Sequence, residues 1–136
     1  MSCVFCAIVA GEVPSRRVHE DEHAVAFLDL APLHRGHTLV VPRRHVASLL
    51  DGEPAMAEIG ACVDATARLL VDRLDADGLN VVSSAGAAAG QEVFHLHVHL
   101  LPRYAQSPGL AHLLGARAPS SEADLDAVHA SLTGRR

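Results

Sequence analysis

No stretch of this chain approaches the roughly 18 consecutive apolar residues of a membrane span, and its first residues lack the charged-then-apolar layout of a secretory leader. A soluble, cytoplasmic protein with no membrane partner is the expectation. Basic residues are few: 11 Lys and Arg stand against 16 Asp and Glu, giving a net charge of −5. Affinity for a nucleic-acid backbone needs clustered cations, so DNA and RNA are not expected partners. Cysteine is sparse and odd in number, which argues against a disulfide framework. Cys3 and Cys6 form a C-x-x-C pair, which in an unsecreted chain points to a metal or redox site. Cys62 falls on an apolar helical face and reads as core. The chain shows no internal repeats. With 136 residues, 49% of them hydrophobic, it can bury one core, and residues 1–136 read as a single domain.

The apolar pattern then orders the elements. Phe5 and Ile8 mark one side of a short helix over residues 4–10, closed by Gly11 and Pro14. Residues 17–20 and 24–28 read as a hairpin around the polar turn Asp21-Glu22-His23, and residues 37–41 as a strand ended by Pro42. From Pro54, placed as the first helical residue, Met56, Ile59, Val63, Thr66 and Leu70 recur at helical spacing to about Leu74. Residues 79–82 form a further strand. Near the end, Ser121 and Asp124 make a capping box for a short helix carrying Leu125, Val128 and Leu132. Hairpin-joined strands with one long helix inserted imply an α+β fold around an antiparallel sheet.

The densest chemistry lies in Val93-Phe94-His95-Leu96-His97-Val98-His99-Leu100-Leu101. On a strand the three histidines share one face, with neighbours about 7 Å apart, while Phe94, Leu96, Val98 and Leu100 enter a core. An H-x-H-x-H pattern alone has three readings: exposed histidines, ligands of a metal, or a histidine nucleophile flanked by orienting partners. Immediately upstream, Gly86-Ala87-Ala88-Ala89-Gly90-Gln91 is a loop with almost no side-chain bulk, whose backbone N–H groups can approach an anion. An anion cradle joined to a histidine strand favours phosphate chemistry.

The run from Gly90 to Arg103, Gly-Gln-Glu-Val-Phe-His-Leu-His-Val-His-Leu-Leu-Pro-Arg, closely resembles the signature of the histidine triad (HIT) family of nucleotide hydrolases and transferases, of the Hint and Fhit type. The resemblance extends in family order through Cys3-Val4-Phe5-Cys6, Gly11-Glu12-Val13-Pro14-Ser15, Ala26-Phe27-Leu28-Asp29-Leu30, Gly36-His37-Thr38-Leu39-Val40-Val41-Pro42 and His45. It covers roughly residues 3–104. The segment after about residue 104 lies outside it as a C-terminal extension.

The resemblance implies a homodimer of α+β protomers, each with a five-stranded antiparallel sheet, one long helix, a short N-terminal helix and a site for a nucleoside monophosphate or its conjugates. It implies a hydrolase acting at the α-phosphorus of adenosine phosphoramidates, or alternatively of dinucleoside polyphosphates; a nucleotide-binding module with little turnover is the rival of another class. His97 would attack phosphorus to give a nucleotidyl-imidazole, and His99 would hydrogen-bond a phosphate oxygen. Asp29 would accept from the ribose hydroxyls, and Val4, Phe5, Ile8, Phe27 and Leu30 would form the base slot. Gln91 with the surrounding Gly90 and Val93 would hold the phosphate. The chain departs from the family pattern at two places, with Ser84 where relatives often have Asn and Glu92 where many have Ser or Thr. An ionised Glu92 near the leaving group would repel phosphate, so it is expected to point away. The resemblance further implies a structural zinc held by Cys3, Cys6, His45 and His95, a Cys2His2 set suited to a closed tetrahedral site.

Overall fold

A computed structural model describes residues 3–106 and 117–134. Its elements are α1 (Val4–Val9), β1 (Arg17–Glu20), β2 (Ala24–Leu28), β3 (Thr38–Pro42), α2 (Met56–Leu74), β4 (Gly78–Val82), β5 (Val98–Arg103) and α3 (Glu122–Thr133). The fold is α+β: five antiparallel strands in the order β1-β2-β3-β5-β4, with α2 crossing over between β3 and β4.

Register decides what each face of the sheet carries. Phe27 pairs with Leu39 and Leu39 with His99, while Ala26 pairs with Val40 and Val40 with Val98. Side chains alternate along each strand, so Val25, Phe27, Leu39, Val41 and His99 share one face and Ala24, Ala26, Val40, Val98 and Leu100 the other. The second face packs against Ile59, Cys62 and Leu70 of α2 in a mostly apolar layer that also buries Thr38 and Thr66. The first packs against Phe5 and Ile8 of α1. Cys62 is core, as its helical position implied.

Three local expectations change. The histidine segment is not one strand: β5 begins at Val98, and residues 91–97 run irregularly before it. The sheet partner ends at Pro42, which has no N–H to donate, and the Leu96 N–H instead reaches the Val46 carbonyl in a loop at 2.7 Å. With the ladder lost, Phe94 does not enter the core; it is 49% exposed, while Leu96, Val98 and Leu100 are buried. Nor is Pro54 the first helical residue. Helix α2 starts two positions later with Ala55 as its N-cap, because the Arg44 guanidinium occupies the Glu53 and Pro54 carbonyls at 2.8 and 3.1 Å.

The capping box is present on α3: Ser121 Oγ accepts from the Asp124 N–H at 3.2 Å, and the carboxylate returns the contact. Every residue of α3 is exposed. Among the described residues no helix is long and apolar enough to cross a membrane.

Candidate active site and metal centre

Between β2 and β3 the chain must turn tightly, and Gly36 makes this possible. Its φ is +86°, and a Cβ there would collide with the Leu74 side chain, so a larger residue would shift the turn. His37 follows directly, on the same sheet face as Leu39 and diagonal to His99. The two imidazoles meet, His37 Nε2 to His99 Nδ1 at 2.9 Å. Asp29 at the end of β2 reaches the same place, its Oδ2 3.6 Å from His37 Nε2, while its Oδ1 accepts the Ala31 N–H at 2.8 Å.

The protons in this network have assignable positions. The Leu33 backbone N–H donates to His37 Nδ1 at 3.1 Å, so neutral His37 carries its hydrogen on Nε2 and donates it to His99 Nδ1. His99 then carries its own hydrogen on Nε2. Separately, His97 Nδ1 lies 2.8 Å from the His95 carbonyl oxygen, which can only accept. His97 therefore holds its hydrogen on Nδ1 and keeps a lone pair on Nε2. The His97 and His99 rings stand with centroids 4.9 Å apart. Thus the site pairs a nucleophilic nitrogen with a neighbouring N–H donor. Burial favours the neutral forms: His99 is pushed down to about 4 by desolvation, then by the nearby His97 and His37, and His37 is lowered chiefly by desolvation against an opposing effect of Asp29.

Beside these histidines, Val4, Phe5 and Ile8 of α1 and Phe27, Asp29 and Leu30 line an apolar hollow of about 170 Å³. Phe5 is its inner wall, with ring centroids 5.6 Å from Phe27 and 5.1 Å from His97. Leu30 is 82% exposed and forms a rim rather than a floor.

The small-residue loop contains one 3-10 turn, Ala87–Ala89. Gln91 is buried and fully engaged: Oε1 accepts from Gly86 N–H at 2.8 Å, and Nε2 donates to the Ala47 and Val93 carbonyls at 2.6 and 3.0 Å. Its side chain braces the loop that sequence assigned to the phosphate. Gly90, at φ +95°, closes the turn, and half-buried Val93 packs against the cluster that contains Phe5 and Phe27. Glu92 is exposed and Ser84 half-buried. The neighbouring Ser83, not singled out by sequence, donates to the His97 carbonyl at 2.9 Å.

A second cluster lies at the N-terminal end of α1. Cys3 Sγ is 3.4 Å and Cys6 Sγ 3.5 Å from His95 Nδ1; His45 Nδ1 is 3.3 Å from Cys6 Sγ and 3.2 Å from His95 Nδ1. Zinc bonds of about 2.3 Å to sulfur and 2.0 Å to nitrogen place tetrahedral S···N and N···N edges at about 3.5 and 3.3 Å. The four separations just given fit these edges, and all four donor atoms lie within 4.8 Å of one another. His95 Nε2 donates to the Pro42 carbonyl at 2.9 Å, leaving the Nδ1 lone pair aimed at the cluster, as a ligating imidazole requires. Burial, then Cys3, raises the Cys6 thiol above its ordinary value, so a metal there must displace a proton.

Asp29, His37 and His99 also gather within 4.8 Å, but the same proton logic gives a different result. With His37 Nδ1 accepting from Leu33, Nε2 is the protonated nitrogen and offers no lone pair. This second group is a hydrogen-bond relay, whereas the cysteine cluster offers four convergent donor atoms of the kind that bind zinc.

The family model of the HIT domain matches residues 10–106. The chain belongs to the histidine triad family. Protein Hit of Bacillus subtilis is 37% identical over 136 residues, covering 98% of this chain and 94% of that protein. The crystal structure of a zinc-bound histidine triad family protein from Mycobacterium smegmatis has 42% identity and a TM-score of 0.73, covering 97% of this chain and 96% of that one. Adenylylsulfatase HINT3 of Arabidopsis thaliana is 37% identical over 102 residues, which are 74% of this HIT chain and 52% of that protein.

Of the residues that sequence nominated, the described structure brings Val4, Phe5, Ile8, Phe27, Asp29 and Leu30 around one hollow, with His97 against Phe5 and His99 against His97, and Cys3, Cys6, His45 and His95 around one point. Arg43 and Arg44 pair with Glu20 and Glu58 at 3.2 and 2.6 Å. Sequence missed His37. The pairing of Leu39 with His99 places it, but that register is not readable before the strands are aligned.

Proposed function

We propose that this HIT protein hydrolyses nucleoside monophosphate conjugates at the α-phosphorus, with adenosine phosphoramidates as the type substrate. The observation that carries the reading is the paired tautomers: a free lone pair on His97 Nε2 beside an N–H donor on His99 Nε2. His97 Nε2 attacks phosphorus, the bond to the leaving amine breaks, and the amine takes up a proton from solvent as it departs. Water then attacks the nucleotidyl-imidazole, releasing the monophosphate and free imidazole. His99 Nε2–H bonds a phosphate oxygen, where charge builds in the transition state. The base enters the hollow between Phe5, Ile8, Val4, Phe27 and Leu30, and Asp29 Oδ2 accepts from the ribose. The backbone around Ser84, Gly90, Glu92 and Val93, braced by Gln91, receives the phosphate.

Zinc at Cys3, Cys6, His45 and His95 has a structural part in this reading: four protein ligands close the site, which pins α1 against the sheet and leaves His97 and His99 unligated. The working unit is taken as a homodimer in the cytoplasm. A shallow hollow between Ala67, Arg68 and Val71 of α2 and Leu79 of the edge strand β4 supports a second copy docking there.

A second reading, favoured by the Arabidopsis adenylylsulfatase, keeps the same attack with sulfate as the leaving group. Parallel turnover assays on adenosine 5′-phosphoramidate, adenylyl sulfate and diadenosine polyphosphates test both. The phosphoramidate should have the highest kcat/KM. Tight AMP binding with no turnover of any of the three would instead make the protein a nucleotide-binding module.

A further inference from the structure

Phe5 lies within the Cys3–Cys6 pair in sequence and touches a histidine of each cluster in space. It is flanked by Cys3 and Cys6, is 7% exposed, and places its ring centroid 5.9 Å from the His95 ring and 5.1 Å from the His97 ring, edge to face with both. Its third neighbour is Phe27, across the hollow.

Helix α1 has six residues, too few to hold its shape without tertiary support. Its C-terminal end is fixed by Arg17, which donates to the Ile8 and Val9 carbonyls at 2.7 and 3.0 Å. Among the described residues its N-terminal end is held by the contacts of Cys3 and Cys6 with His45 and His95 and by the packing of Phe5 against Phe27 and His97. The Cys3 sulfur is also the helix cap, accepting the Cys6 N–H at 3.4 Å. A cation shared by these four groups therefore sets where the first turn of α1 lies, and that turn carries Val4 and Phe5 into the hollow.

We propose that Phe5 makes the Cys3/Cys6/His45/His95 cation site and the nucleotide hollow one thermodynamic unit, so that filling either raises affinity at the other. The inference rests on the nucleotide-site reading above, and adds a coupling that a merely structural metal does not require. A base stacked on Phe5 favours the position of α1 in which the sulfurs are convergent; convergent sulfurs favour the position in which Phe5 walls the hollow. By linkage the two effects have the same magnitude. His95 adds a second route, because it ligates through Nδ1 while its carbonyl sets the His97 tautomer.

The test is calorimetric titration of AMP into zinc-loaded protein and into protein stripped with a chelator. The stripped protein should bind AMP about tenfold more weakly or worse, within the usual range of coupling between sites. Chelator competition for zinc, with and without saturating AMP, should return the same factor. Phe5→Leu keeps apolar bulk but loses the ring that reaches both histidines; it should bind one zinc and show a factor close to one. Equal AMP affinities of loaded and stripped protein overturn the coupling and leave the nucleotide site standing, whereas no AMP binding by the loaded protein overturns both. If stripping unfolds the chain, the zinc-side measurement decides, and an undiminished factor in Phe5→Leu overturns the part given to Phe5.

Discussion

His37 Nε2 donates its hydrogen to His99 Nδ1 across 2.9 Å, a direction fixed by the Leu33 N–H on the opposite nitrogen of His37. The consequence is that His99 keeps its hydrogen on Nε2 and stands beside His97 as a donor. His37→Gln, which keeps an amide N–H near the Nε2 position, should retain more activity than His37→Ala. The alanine variant should lose about tenfold in kcat, the worth of one neutral hydrogen bond, with AMP affinity little changed. Steady-state kinetics with separate AMP titrations check this.

Low pH should weaken the fold through the same pair. Folded His99 takes up a proton only near pH 4, whereas an unfolded histidine does so near 6.5. Between these values the unfolded chain binds more protons, so stability falls as pH drops from about 6.5 to 4 and is unaffected by His99 above that window. NMR titration of the imidazole carbons should show His99 neutral throughout pH 5 to 8, and a His99 midpoint near 6.5 would contradict the assigned network.

Gln91→Ala should cost stability beyond an ordinary surface change, because it strands the Gly86 N–H and the Ala47 and Val93 carbonyls. A loss of about 1–3 kcal/mol is expected, together with weaker AMP binding as the loop loosens. Urea unfolding and calorimetry measure the two effects. Unchanged stability would show the brace to be dispensable.

Purified without a tag or added metal, the protein should carry one zinc per chain by elemental analysis. Cys6→Ser should lower the thermal midpoint more than it lowers turnover. Because zinc must displace thiol protons and Cys6 holds its proton above the ordinary range, apparent zinc affinity should weaken as pH falls, by about tenfold per unit for each proton released. A pH-independent affinity would place the metal elsewhere.

The layered part of the fold was legible because its signals are local. Apolar spacing from Met56 to Leu70 gave α2, and Ser121 with Asp124 gave the cap of α3. The boundaries that failed depend on distant partners: Arg44 takes the Pro54 carbonyl, and the end of β3 at Pro42 deprives residues 93–97 of a ladder. The same contrast holds at the site. His97, His99 and the Cys3/Cys6 pair stand out by spacing, while His37 and the bracing role of Gln91 appear only when β3 meets β5 and the loop closes on Ala47.

Light scattering at micromolar concentration should give the mass of two chains, and a charge placed in the α2 hollow, Val71→Asp, should shift it toward one. A monomer in both cases would remove the homodimer from the account.

The account centres on His97 Nε2 as the atom that bonds to phosphorus. Rapid quenching during turnover of an adenosine phosphoramidate, followed by intact-mass analysis, reads that bond directly. The account predicts a mass increase of one adenylyl group, mapped to His97 by peptide analysis and absent from His97→Ala, which should still bind AMP while losing orders of magnitude in kcat. Fast turnover with no adduct at any quench time, or an adduct on another residue, would contradict it.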